Sequence, residues 1–187
     1  TLLGLISHEY FHAWNVKRMK PRELTRIDYT RENYTPLLWF FEGFTSYYDD
    51  LLLLRAGLID APRYLSLVAK TINGVAAMPG RRLQSVAQSS FDAWVKYYRS
   101  DENTPNATVS YYTKGSLVAL ALDLTLRRDR RGTLDDVMGH LWRRSNCATC
   151  IKFLCACFQT LLRPADRLRQ NVPGSRPDVP IPTLVLA

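Results

Sequence analysis

Two histidines and a glutamate stand close together near the start of the sequence, in the order His8-Glu9-Tyr10-Phe11-His12. On a helix, residues four apart lie on the same face, so His8 and His12 can offer two imidazoles to one Zn²⁺ from adjacent turns. Glu9 projects beside them, where a carboxylate can take a proton from a metal-activated water. The spacing therefore predicts a metal-dependent hydrolytic site. The alternative is a pair of helical histidines without a metal.

A third protein ligand should come from another element, which leaves one coordination position for water. Glu42 is the candidate, because it lies within the apolar segment Leu38–Phe44, LWFFEGF. An unpaired carboxylate is costly in such surroundings, and a metal would remove that cost. The alternative for Glu42 is an ion pair with an arginine.

A second group of polar residues is Tyr111-Tyr112-Thr113-Lys114-Gly115. A phenol that faces the metal can donate a hydrogen bond to the oxyanion of a tetrahedral intermediate. Tyrosines beside apolar runs are usually packing residues, however, so the string alone does not assign this role.

The elements that must position these residues are helical. Apolar residues recur at intervals of three and four, and caps and breakers set the ends. The predicted helices run from Leu2 to about Val16, from Leu37 to Ala56, from the Asp60 cap through Ile72, from Tyr112 to about Arg128, and from the Thr133 cap to about Arg144. Phe91–Tyr98 could form one more short helix. No segment predicts a clear strand, so the fold class is mainly α.

Composition excludes several classes of protein. The 187 residues are 47% apolar and 22% charged, which is typical of a globular protein and not of a disordered one. The net charge is +8, and the basic residues are densest at Arg127–Arg131. This run follows an apolar stretch and predicts a helix end rather than a nucleic-acid surface. Apolar runs such as Leu117–Leu122 fall far short of the roughly 18 residues of a membrane span.

The composition changes abruptly after Asn146. The chain's four cysteines follow within eleven residues, at Cys147, Cys150, Cys155 and Cys157, and five prolines lie between Pro164 and Pro182. The cysteine spacing matches no common zinc motif and favours incidental thiols, with a metal site as the alternative. We expect an irregular tail over residues 147–187, and a change of reading frame near residue 147 is our hypothesis for the shift in composition. Since the chain begins at Thr1, we also expect an interior piece of a longer protein.

Two strings resemble the glycyl aminopeptidase family of zinc metallopeptidases, which are gluzincins. They are His8–Met19, HEYFHAWNVKRM, and Leu38–Tyr48, LWFFEGFTSYY. The resemblance continues in the same order through Arg81–Trp94 and Tyr98–Gly115, and covers about residues 1–146. It implies the helical half of a thermolysin-like (gluzincin) catalytic domain, followed by an irregular tail.

The resemblance also implies roles for the site residues. His8, His12 and Glu42 would bind Zn²⁺, Glu9 would be the general base, and Tyr112 would stabilise the oxyanion. Thermolysin-like relatives carry an aspartate four residues after the ligand glutamate. Because that position is Ser46 here, we expect Thr45 or Ser46 to support the ligands instead.

The implied function is a zinc aminopeptidase that acts on peptides and cleaves after an N-terminal glycine or alanine. Family members also have a sheet-containing lobe before the HExxH helix and often a PDZ-like domain after the catalytic domain. We expect both to be missing from this chain. The alternatives are a non-catalytic zinc- or peptide-binding remnant and a zinc endopeptidase of the same clan.

Overall fold

The computed structural model describes residues 2–145. This range consists mainly of α-helices, which turns and loops connect. They are α1 Leu2–Phe11, α2 Leu38–Arg55, α3 Ala61–Ala77, α4 Val86–Phe91, α5 Thr104–Ala107, α6 Tyr111–Arg128 and α7 Leu134–Ser145. Between residues 2 and 145 there is no strand, and one isolated bridge joins Asn15 to Met19. The prediction of a mainly α fold is confirmed. The cysteine cluster and the proline-rich tail lie outside the described residues.

The core is organised around α2, which packs against both α6 and α1. Phe40, Phe41 and Phe44 are fully buried, and their rings contact one another within this helix. A helix that is apolar over most of its circumference is stable only when neighbours cover it. The LWFFEGF string therefore holds Glu42 on a helix that is anchored in the core, with its half-buried carboxylate facing a cleft.

Two glycines allow α2 and α6 to cross at backbone contact. A Cβ atom added to Gly43 would lie 2.5 Å from the Cα of Gly115. One added to Gly115 would lie 2.6 Å from the carbonyl oxygen of Trp39. Real Cβ atoms do not approach other atoms so closely, so both positions require glycine. The crossing brings the turn that carries Glu42 next to the turn that carries Tyr112.

The first helix is shorter than its apolar period predicts. It ends at Phe11 instead of near Val16, and a series of tight turns leads from His12 to Met19. The His12 amide still donates to the His8 carbonyl at 3.2 Å, so His12 keeps its helical relation to His8. Val16 then adopts a positive φ of 127°, which ends any helical path.

Side-chain caps fix the starts of the later helices. The Asp60 carboxylate accepts from the Arg63 amide at 2.9 Å, as the sequence predicts. Before α7, the Thr133 hydroxyl lies 3.4 Å from the Asp136 amide, and the Asp136 carboxylate accepts from the Thr133 amide at 2.8 Å. These bonds satisfy amides that have no partner within the helix.

Within residues 2–145, no helix is both long and apolar enough to cross a membrane.

Candidate metal centre

Three side chains meet at one point. His8 on α1 and His12 in the turn directly after it extend toward Glu42 on α2. One oxygen of Glu42, Oε2, lies 3.2 Å from Nε2 of His8 and 3.1 Å from Nε2 of His12. The three donor atoms lie within 4.8 Å of one another. Two imidazoles and a carboxylate are a ligand set that Zn²⁺ favours, and the cluster leaves room for a further ligand. The residues therefore fit a zinc ion.

The opposite nitrogen of each imidazole is held by the protein. Nδ1 of His8 lies 3.1 Å from the Asp49 carboxylate, and Nδ1 of His12 lies 2.8 Å from the Asn15 carbonyl oxygen. Both partners are acceptors, so each ring carries a proton on Nδ1. In the metal-free structure Nε2 of each ring donates to Glu42, and a metal ion would take the place of that proton. Such contacts at Nδ1 orient metal-binding histidines and increase their basicity.

The sequence did not point to Asp49. Ser46, which we expected to support the ligands, is not among the hydrogen-bond partners of either imidazole, although it lines the same cleft. Asp49 lies seven residues after Glu42, two turns along the same face of α2, and a search at helical intervals of seven would have found it. Thr45 contacts Asn15 rather than a ligand, at 3.2 Å from the amide nitrogen.

Without a metal, the cluster is a network of charge pairs. Burial disfavours the protonated His8 ring, but its hydrogen bonds to the Asp49 and Glu42 carboxylates outweigh burial and raise its pKa from 6.5 to about 9. Burial also raises the pKa of Glu42, but hydrogen bonds from both imidazoles outweigh it and lower that pKa from 4.5 to about 2. A metal ion that binds here must therefore displace a proton.

These shifts predict how the stability of the metal-free chain depends on pH. The contribution of His8 is fully present below pH 6.5 and is lost as pH rises through about 9. The contribution of Glu42 is present above pH 4.5 and is lost as pH falls toward about 2. Thermal denaturation with a chelator, followed by circular dichroism, should give the highest midpoint between these limits. We expect Glu42→Gln to flatten both sides of the profile. A midpoint that keeps rising through pH 9 would contradict the pairing.

The predicted catalytic residues face the same space as the candidate metal ligands. An open cleft of about 750 Å³ is lined by His8, Glu9, His12, Glu42 and Tyr112, among others. Glu9 is exposed to this cleft, and no described residue forms an ion pair with it. The carboxylate is therefore accessible to a bound water.

Tyr112 stands over the ligands from α6, with its ring centroid 6.1 Å from that of His8. Burial first, and then the negative charge of Glu42, raise the pKa of Tyr112 above its ordinary value. The phenol thus stays protonated and remains a hydrogen-bond donor. Tyr111 stacks on Tyr112 at 4.7 Å but is buried and does not line the cleft. Of the two tyrosines, Tyr112 is the one whose hydroxyl can contact a molecule bound in the cleft.

Comparison with solved structures gives a close match. The chain is similar to the crystal structure of the aminopeptidase N family protein from Idiomarina loihiensis, with a TM-score of 0.74 and 43% identity. The match covers 94% of this chain and 29% of that one, so the chain spans less than a third of this relative's length. A comparison with curated proteins gives no match. The helical fold and this likeness define the class of fold as the helical half of a peptidase domain.

The family follows from the sequence profile. Residues 1–118 match the M61 glycyl aminopeptidase family, which is more than half of the 187 residues. The chain belongs to this family, and the resemblance found in the motifs is confirmed.

Proposed function

We propose that the chain is the zinc-binding part of an aminopeptidase that removes N-terminal glycine or alanine from peptides. The observation that carries the proposal is the meeting of two Nε2 atoms and one carboxylate oxygen within 4.8 Å, beside an exposed glutamate. In this proposal His8, His12 and Glu42 hold Zn²⁺. When bound, zinc supplies Lewis-acid chemistry, because it polarises the scissile carbonyl and lowers the pKa of a water.

The chain's own residues then move and hold protons. Glu9 takes a proton from the attacking water on one of its carboxylate oxygens and later gives it to the leaving amine. Tyr112 donates its hydroxyl proton in a hydrogen bond to the oxygen that becomes negative in the transition state. Asp49 and the Asn15 carbonyl keep the imidazole protons on Nδ1, which leaves both Nε2 atoms free for the metal.

We further propose that residues 1–146 are one partial catalytic domain and that residues 147–187 are not part of it. The outer face of α1 supports the proposal of a missing lobe. Leu2, Ile6 and Tyr10 lie four residues apart on it and are 73%, 56% and 66% exposed. A contiguous apolar surface is usually covered by a partner element. In the complete domain this partner is the sheet-containing lobe, which would form the second wall of the cleft.

The test is to measure the zinc content of the chain loaded with Zn²⁺, and to compare free with amino-blocked peptides as substrates of a family member with a complete domain. We expect one zinc per chain, and hydrolysis of glycyl and alanyl substrates only when their amino group is free. Equal hydrolysis of acetylated peptides would assign an endopeptidase instead. A chain that binds no zinc at equimolar metal would contradict the proposal at its first step.

A second candidate is a zinc-binding chain without turnover. The exposed face of α1 favours this candidate for the 187 residues alone, because half of the substrate cleft would be absent. The two candidates differ in one measurement, since only the complete enzyme releases amino acid while both bind zinc. Detectable hydrolysis by a monomer of the isolated chain would exclude the second candidate.

Tyr112→Phe tests the oxyanion role. Removal of one hydroxyl donor should lower kcat by about 10²–10³-fold, with zinc content and KM nearly unchanged. Tyr111→Phe is the matched control, because it removes the neighbouring buried hydroxyl and should leave kcat within a few-fold of wild type. Steady-state kinetics on a family member with a complete domain gives both values. A larger loss of kcat for Tyr111→Phe would reverse the assignment of the two tyrosines.

A further inference from the structure

A buried amide in the turn after α1 joins the two helices that carry the candidate ligands. Asn15 is completely buried, and its backbone carbonyl accepts the hydrogen bond from Nδ1 of His12 at 2.8 Å. Its side-chain Nδ2 donates to the Phe41 carbonyl at 3.1 Å and to the Thr45 hydroxyl at 3.2 Å. Phe41 and Thr45 lie on α2, on either side of Glu42.

The Thr45 hydroxyl completes this arrangement. It donates its single proton to the Phe41 carbonyl, so it meets Asn15 as an acceptor. This fixes the orientation of the amide, because both of its α2 partners accept and only Nδ2 can donate to them. The side-chain oxygen of Asn15 is then left buried, and no described residue donates to it.

The turn is unfavourable by local rules. Val16, directly after Asn15, has a φ of 127°, which a β-branched residue rarely adopts. A buried acceptor without a partner adds a further cost. Such departures collect where function over-determines the structure, and they persist because surrounding contacts hold them. Here the contacts that hold the turn are those of Asn15 with α2.

We propose that Asn15 and Thr45 form a clamp that positions His12 for zinc, an inference that rests on the zinc site proposed above. The amide ties the turn to the segment of α2 that carries Glu42. The same residue's carbonyl then holds the proton of His12 on Nδ1. The clamp thereby fixes both the ring angle and the distance between Nε2 of His12 and Oε2 of Glu42. Neither residue contacts the metal position, so both are positioning residues.

A purely structural role for these contacts would affect stability but not the metal. The distinguishing variant is Thr45→Val, which keeps the shape of the side chain and removes the hydroxyl that accepts from Asn15. Thr45→Ser restores that hydroxyl. Thr125→Val is the matched control, because Thr125 makes the same bond to the carbonyl four residues earlier, at 2.7 Å on α6, away from the cleft.

The experiment measures Zn²⁺ affinity by competition with a chromophoric chelator, and the visible absorption spectrum with Co²⁺ in place of zinc. We expect Thr45→Val to weaken zinc binding by about 10- to 100-fold and to change the Co²⁺ spectrum. Thr45→Ser should recover both, and Thr125→Val should match wild type. Thr45→Ala serves as a second variant, and circular dichroism ensures that only folded protein is compared.

Wild-type affinity and spectrum in folded Thr45→Val or Thr45→Ala would overturn the clamp. An equal loss in Thr125→Val would overturn it as well, because the effect would then be general. A wild-type chain that binds no zinc would overturn both the clamp and the zinc site beneath it. If the wild type binds zinc but hydrolyses nothing, the metal readouts still decide on the clamp, and only the catalytic part of the proposed function is contradicted.

Discussion

Glu9→Gln should abolish peptide hydrolysis and leave zinc bound. Glutamine keeps the shape of the side chain but has no carboxylate to accept the proton of the attacking water. Loss of a general base usually lowers kcat by about 10²–10⁴-fold. Glu9 is also outside the cluster of ligand atoms, which consists of His8, His12 and Glu42. The two effects should therefore separate, with kcat lost and metal content retained.

The measurement is kcat on an alanyl or glycyl substrate together with zinc content by atomic emission. Zinc content is measured on this chain, and kcat is measured on a complete family member with the same change. Glu102→Gln is the matched control, because it makes the same change at an exposed glutamate in a loop outside the cleft. Wild-type kcat in Glu9→Gln would remove Glu9 from the mechanism. Loss of zinc would show that Glu9 supports the metal instead.

Glu42→Gln should weaken metal binding strongly. One oxygen of Glu42 approaches both imidazoles, so its charge both binds the metal and holds the two rings together. Structural zinc sites with four ligands bind with about 10–16 kcal/mol, or roughly 2.5–4 kcal/mol for each ligand. Removal of one ligand should then weaken zinc binding by about 10²–10³-fold. His8→Ala should lose the metal to a similar extent.

Chelator competition on the purified chain measures this loss. Asp123→Asn is the control for general destabilisation, because Asp123 is also buried and accepts from Tyr47, Arg127 and the Leu134 amide, away from the cleft. It should lower the melting temperature and leave the zinc affinity of the folded chain unchanged. Unchanged zinc affinity in Glu42→Gln would mean that the carboxylate is not a ligand.

The parts of the site that follow helical spacing could be predicted from sequence. His8, Glu9 and His12 are set by the period of one helix, and Glu42 stands out because a carboxylate is costly in an apolar string. The fold class and the later helix starts were also predictable, since Asp60 and Thr133 cap locally. Tyr112 needed the family resemblance, because composition alone does not separate it from Tyr111.

The remaining features depend on contacts between distant segments. The apolar period continues past Phe11, so nothing local predicts that α1 ends there or that Val16 takes a positive φ. The end is set by Asn15, whose partners lie on α2 some 26 and 30 residues away. Asp49 was within reach of a helical-interval search. The orientation of its side chain toward His8 depends on how α1 packs on α2.

The contact between Gly43 and Gly115 has a consequence for how such chains can diverge. Gly43 directly follows Glu42 and Gly115 lies three residues after Tyr112, so each glycine marks the register of a functional residue on its helix. The distance between the Glu42 carboxylate and the Tyr112 phenol therefore depends on the lack of a side chain at both glycines. A mutation of one candidate ligand alters the chemistry but leaves the spacing of α2 and α6 unchanged. A methyl group at either glycine would push the helices apart and lengthen this distance while every catalytic side chain is still present. In a sequence that keeps HExxH and its glutamate but lacks this pair of glycines, the distance between the glutamate and the tyrosine is therefore no longer the same.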